Sequence, residues 1–132
     1  KALAAALKGN CSLHSLNLSR TKLSDDAVQA LAKALKENRG LQSLDLNGNN
    51  FMDEGTLALA EALQKNKTLE VLNLSSNQLT SDGGQALISA LKENETLHSL
   101  ELTNAFYGAH ADADEQRLVD TLRKDFAARV RL

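Results

Sequence analysis

The sequence predicts an α/β fold made by stacking one strand–helix unit several times, and three observations predict it. Leu13, Leu41, Leu69 and Leu97 each open the pattern Leu-x-x-Leu-x-Leu at a constant spacing of 28 residues. Leu23, Phe51, Leu79 and Tyr107 follow each opening leucine at a fixed distance of ten residues. Every copy then continues into a segment whose apolar residues recur at helical spacing. Copies held in one register identify a repeat architecture, in which each unit buries its apolar face against its neighbours.

The first ten residues, Lys1 to Asn10, match the second half of a unit, with Ala2/Leu3/Ala6/Leu7 corresponding to Ala30/Leu31/Ala34/Leu35. A helix is expected there without the strand that should precede it, so the chain reads as the C-terminal piece of a longer protein. Strands are expected at 15–19, 43–47, 71–75 and 99–103. In them Leu16/Leu18, Leu44/Leu46, Leu72/Leu74 and Leu100/Leu102 alternate with small polar residues, which buries one face and leaves the other open. After each strand and turn come Ser24-Asp25-Asp26, Met52-Asp53-Glu54 and Thr80-Ser81-Asp82. These put capping oxygens and acidic charge where a helix has free N–H groups and a positive dipole end.

Helices are therefore expected over about 26–37, 54–65 and 82–93. Ala30/Leu31/Ala34/Leu35, Ala58/Leu59/Ala62/Leu63 and Ala86/Leu87/Ala90/Leu91 form their buried stripes. Alanine is required where a helix lies close against the strand of its own unit. Lys33, Lys36, Glu37, Glu61, Gln64, Lys65, Lys92 and Glu93 fall on the solvent side. Each helix stops at Asn10, Asn38, Asn66 or Asn94, a residue type that tolerates the left-handed conformation of a helix C-terminus.

In the last unit the helical leucines return at Leu118 and Leu122, 31 residues after Leu87 and Leu91, so about three residues are inserted in the loop 104–114. Leu118, Leu122, Phe126 and Val130 then recur every four residues, with Arg117, Arg123, Lys124, Arg129 and Arg131 as surface charge. One longer helix is expected, capping the terminal layer. The expected organisation is a single domain over 1–132: a partial repeat at 1–10, full repeats at 13–40, 41–68 and 69–96, and an irregular last repeat with its cap at 97–132.

Composition excludes several functions. With 132 residues, a 42% hydrophobic fraction and no Trp, the core is aliphatic and evenly layered. A net charge of −2 provides no electrostatic footprint for nucleic acid or an anionic membrane. No apolar run reaches the roughly 18 residues of a membrane-spanning helix, and no signal-peptide pattern is present. A single cysteine, Cys11, makes no internal disulfide, so a reducing, cytoplasmic setting is expected.

On these residues the chain resembles the ribonuclease-inhibitor type of leucine-rich repeat, L-x-x-L-x-L-x-x-N-x-L followed by (D/S)-(D/E)-(A/G)-x-x-x-L-x-x-A-L-(K/Q)-x-N. The resemblance covers nearly the whole chain. It implies a right-handed βα horseshoe with a parallel sheet on the concave side and helices on the convex side. That class includes NOD-like receptors, tropomodulins and Ran GTPase-activating proteins, so the implied function is a non-enzymatic protein-binding scaffold without cofactor. The regular repeat is most similar to the sensing region of NOD-like receptors. The irregular last repeat and basic tail resemble tropomodulin, an actin-binding alternative. A Ran-type activator would carry longer repeats and a strongly acidic stretch. The family's turn asparagine stands at Asn49 and Asn77, while Thr21 and Ala105 take its place at either end, so its ladder has two rungs.

Alternation gives the inner face of the sheet: Ser15, Asn17 and Ser19; Ser43, Asp45 and Asn47; Val71, Asn73 and Ser75; Ser99, Glu101 and Thr103. It is small, polar and mildly acidic, without the Trp, Tyr and Arg on which strong interfaces are built. Partner contact is assigned to Asn17, Asp45, Asn47, Val71, Asn73, Glu101 and Thr103, with Arg20 and Lys22 at the rim, and Phe106 is expected either to pack in the cap or to serve as a loop contact. Tyr107 is expected in the core.

Other motifs support blander readings. His110, Asp112 and Asp114 are ligand types for a divalent ion, but an Ala/Asp-rich connector ending in a helix N-cap explains them. Cys11 and His14 lack a third residue to orient a nucleophile–base pair, and Cys11 shares its column with Arg39, Lys67 and Glu95. Gly83-Gly84 is not followed by the lysine of a phosphate loop, and packing accounts for it. His14 and His98 share a column with Gln42 and Glu70 as exposed rim residues. No catalytic, metal or cofactor site is expected.

Overall fold

The computed structural model describes residues 2–106 and 113–132, the side chains of 114 and 115 excepted. Helices α1 (Ala2–Gly9), α2 (Asp25–Glu37), α3 (Asp53–Lys65), α4 (Ser81–Glu93) and α5 (Ala113–Asp125) alternate with strands β1 (Ser15–Asn17), β2 (Ser43–Asp45), β3 (Val71–Asn73), β4 (Ser99–Glu101) and β5 (Val130–Arg131). The strands make one parallel sheet in the order β1-β2-β3-β4-β5. From β1 to β4 each residue pairs with the one 28 positions later, as in Leu16–Leu44, Leu44–Leu72 and Leu72–Leu100. The period of the sequence is thus the register of the sheet.

Curvature follows from two spacings. Neighbouring strands lie about 4.8 Å apart, whereas packed helices need about 8–10 Å. A stack tied strand to strand must therefore bend until its helices have room, with the sheet on the concave side. Leu44, Leu46, Leu72, Leu74, Leu100 and Leu102 fill the layer between sheet and helices, with Phe51 and Leu79 buried behind the turns. Leu16, Leu18 and Leu23 are only half-buried because β1 is an edge of the sheet. Tyr107 lies outside the described residues.

β1 to β4 each span three residues rather than the expected five. Pairing nevertheless runs on, since Leu18 N–H donates to Asp45 O and Arg20 N–H to Asn47 O, both at 2.8 Å. The chain then turns through a left-handed residue in every copy: Arg20, Gly48, Ser76 and Asn104 have φ of 54°, 70°, 55° and 54°. Gly48 escapes the crowding that this conformation imposes on a side chain and Asn104 tolerates it, whereas Arg20 and Ser76 bear roughly 1–2 kcal/mol each.

The three central helices fall within a residue of expectation. They bury more than one stripe, since Val28, Thr56 and Gly84, and Ala32, Ala60 and Ile88, are buried as well. Their C-terminal asparagines correct the expectation of left-handed backbone, because Asn38, Asn66 and Asn94 have φ of −71°, −76° and −108°. They are buried to 1% exposure and join the units. Asn66 Nδ2 donates to Leu35 O at 2.8 Å and Asn38 O at 3.2 Å, while its Oδ1 accepts from the N–H groups of Thr68 and Leu69 at 2.9 and 2.8 Å. Asn38 and Asn94 bond in the same way one unit earlier and later. A side chain with both donor and acceptor is what this position requires.

The helix starts are also built differently. Of the three central helices only α2 is capped by its own residue, Ser24, whose Oγ accepts from Ala27 N–H at 3.3 Å; Met52 and Thr80 make no side-chain cap. Instead Asp25 Oδ1 reaches into the next unit and accepts from Met52 N–H at 3.0 Å and Gly55 N–H at 2.7 Å. Asp53 does likewise, taking Thr80 N–H at 2.9 Å and the Thr80 hydroxyl. Glycine clears the space, since a Cβ on Gly83 would stand 2.4 Å from Asp53 Oδ1.

The C-terminal helix expected to run through residue 130 ends at Asp125, and a turn carries Val130 and Arg131 into β5 beside β4. Leu118, Leu122, Phe126 and Val130 are buried as expected. Their four-residue period spans a helix, a turn and a strand. Arg129 is not surface charge on a helix but points inward. Its Nε donates to Leu97 O at 2.9 Å, Nη1 to Leu91 O at 2.9 Å, and Nη2 to Leu97 O at 2.6 Å and to Asn94 O. Leu91 O and Asn94 O are the carbonyls that the asparagine of a further unit would take, since Asn94 takes Leu63 O and Asn66 O. One arginine closes the column of helix-ending asparagines.

Candidate functional site

Asp45, Asn47, Val71, Asn73 and Glu101 are half-buried on the concave face, with Asn17 and Thr103 exposed. The pleat sends them there because the leucines between them are committed to the core. Asn17, Asp45 and Asn73 form one column across three strands. Each Oδ1 accepts the N–H of the residue two further on, Ser19, Asn47 and Ser75, at 2.9 Å in every case. These Asx-type bonds close the strand ends, so the three side chains belong to the scaffold as well as to the surface. Glu101 ends the column with Oε1 3.8 Å from Arg131 Nη1 on β5.

In the next column Ser75 is 8% exposed and its hydroxyl accepts Thr103 N–H at 3.1 Å. Asn47, Val71 and Thr103 contribute no side chain to this network and are the open positions of the face. At the strand starts His98 Nδ1 is 3.9 Å from Glu70 Oε1, and His14 Nδ1 lies 3.0 Å from Gly40 O. Arg20 and Lys22 are exposed at the rim. Phe106 is half-buried against the core, and its ring would stand 3.0 Å from a Cβ on Gly84.

The competing motifs are placed as follows. Cys11 is exposed. Gly84 seats the cap, because a Cβ there would meet Leu118 Cδ2 at 2.1 Å. His110 and Asp112 lie outside the described residues, as does the side chain of Asp114. Among the described residues no group of three or more His, Cys, Asp or Glu is placed to hold a metal ion, and no helix is long and apolar enough to cross a membrane. The bonds of Asp25, Asp53 and Arg129 to other units were not expected from the sequence. For the first two the signal was available, since an acidic residue precedes a glycine by 30 positions in both Asp25/Gly55 and Asp53/Gly83.

A family model described as Leucine Rich repeat matches residues 9–32, 37–60 and 65–87, more than half of the chain. The chain belongs to the leucine-rich repeat family. Its 28-residue strand–helix unit is of the ribonuclease-inhibitor type. Among solved structures this leucine-rich repeat protein is similar to leiomodin-1 actin-binding site 2, with a TM-score of 0.80 and 24% identity over 92% of this chain and 70% of that one. It is also similar to the C-terminal domain of Caenorhabditis elegans tropomodulin, with a TM-score of 0.61 and 17% identity over 96% and 92% of the two chains. Both likenesses are of fold. No curated protein sequence matches the chain.

Proposed function

We propose that this leucine-rich repeat protein is a non-enzymatic interaction module that binds a partner protein through the concave face of its sheet and the adjoining loops, and that actin is this partner. The carrying observation is the rigid polar surface: columns of side chains repeat at the strand spacing, with the strand ends locked by Asn17, Asp45 and Asn73. Such a surface presents fixed contacts without ordering cost at binding. The choice of actin rests on the structural likeness to leiomodin-1 actin-binding site 2. The analogy with NOD-like receptors, which came from repeat regularity, gains nothing from either neighbour.

The test is co-sedimentation with filamentous actin and fluorescence titration of monomeric actin, using the full chain and its Asn47→Arg/Val71→Arg/Thr103→Arg variant. These three side chains lie outside the scaffold bonds, so the variant keeps its thermal midpoint. Saturable binding that weakens about tenfold or more in the variant is the expected result. Absence of binding to both forms of actin would remove actin as the partner, and binding unchanged in the variant would remove the concave face.

A further inference from the structure

Among the described residues the large apolar side chains that stand exposed are Leu3, Leu13, Met52 and Leu57, at 42%, 36%, 53% and 44%. Leu3 and Leu13 belong to the β1 end of the stack. Met52 and Leu57 lie in mid-stack at the start of α3, and the repeat shows that both are departures. Ser24 and Thr80 occupy the column of Met52, and Gln29 and Gln85 that of Leu57. Neither is required by the fold. Met52 holds an N-cap position, where Ser, Thr, Asp or Asn is preferred, yet caps nothing; Asp25 from the preceding unit supplies the acceptor.

Met52 lines a groove of about 530 Å³ together with Asp25, Asp53, Glu54, Gln78 and Thr80. Leu57 does not line this groove, but it follows Glu54 by three positions and Asp53 by four on α3, the spacing that puts residues on one side of a helix. Asp25, Asp26, Asp53, Glu54 and Asp82 fill the first turns of α2, α3 and α4. None of them makes an ion pair among the described residues. Helix dipoles account for the carboxylates but not for the two apolar side chains.

We propose that this groove docks a basic amphipathic segment of a partner protein, a second surface separate from the concave face. Aliphatic side chains of the segment pack on Met52 and Leu57 while a lysine or arginine sits among the carboxylates. A methionine suits this role because its flexible, polarizable side chain adapts to the occupant. The negative rim repels nucleic acid and anionic membranes.

The chain contains a single methionine, so methyl-labelled methionine in the full chain gives one NMR resonance that reports on the groove. The probes are a short helical peptide of lysine and leucine, amphipathic in pattern, and its glutamate–leucine counterpart. A saturable shift with the lysine peptide and none with the glutamate peptide is expected. Anisotropy of the labelled lysine peptide then reads the Met52→Ser/Leu57→Gln variant, whose residues come from the other repeats. It should bind about tenfold more weakly with an unchanged or raised thermal midpoint, and Glu54→Lys should weaken binding as well. No saturable shift with the lysine peptide, equal shifts with both peptides, or unchanged affinity in the double variant would each overturn the proposal. The concave-face variant should bind the peptide normally, which separates this result from the reading above.

Discussion

Removing the Arg129 guanidinium should unfasten the C-terminal cap. In Arg129→Ala the carbonyls of Leu91, Asn94 and Leu97 lose every contact that this side chain donates. Hydrogen bonds from charged donors contribute about 1.5–3 kcal/mol each, but Arg129 is half-buried and water reaches the site, so about 1 kcal/mol per carbonyl is appropriate and the loss is about 3 kcal/mol. For a chain of this size that is a fall of about 10 °C in thermal midpoint. In a repeat stack the loss falls first on the terminal layer. The Leu100 and Leu102 amides, which donate to Arg129 O and Arg131 O at 2.7 Å, should therefore exchange faster than amides of β2. Arg129→Lys keeps the charge without the planar fork and should recover less than half of the loss. Arg123→Ala, on the exposed face of α5, is the control. Urea and thermal denaturation by circular dichroism measure all three. A loss under about 0.5 kcal/mol in Arg129→Ala, the scale of an ordinary surface substitution, would mean that Arg129 does not fasten the cap.

Asn66→Ala should cost about 3 kcal/mol because it orphans buried carbonyls and amides together, whereas Asn10→Ala, in the same column but exposed, should cost about 1 kcal/mol or less; paired urea titrations decide. Gly83→Ala places a Cβ 2.4 Å from Asp53 Oδ1 and should destabilise by about 1–3 kcal/mol. Combining it with Asp53→Ala should cost less than the sum of the single changes, which a double-mutant cycle reads directly. Ser76→Gly at φ 55° should stabilise by about 0.5–1 kcal/mol, since relief of left-handed crowding outweighs the added freedom of the unfolded chain; a lowered thermal midpoint would contradict this.

The repeated core was legible because a 28-residue period in the sequence becomes a 28-residue register in the sheet. Leu44 and Leu72 face the core for the same reason that they recur. Less visible were bonds that cross from one unit to the next. Asn66 ends a helix, and a helix-ending asparagine reads locally as a left-handed cap, although its partners Leu35 and Asn38 belong to the preceding unit. Arg129 was illegible for a stronger reason: it replaces an asparagine from a different sequence position with a longer side chain, so no column contains it. Val130 misled because its spacing from Phe126 fits a helix, while the strand position is fixed by pairing with Leu100. On the concave face, alternation did not show that Asp45 and Asn73 hold the strand ends or that Ser75 is buried.

Site-directed photocrosslinking decides whether the concave sheet meets the partner. A photoreactive side chain is placed at Asn47 on the concave face or at Ser89, exposed on α4 of the convex face, and each protein is irradiated with actin. A covalent actin adduct is expected from position 47 and none from position 89. An adduct from position 89 alone, or from neither position under conditions where binding is saturated, would contradict concave-face binding.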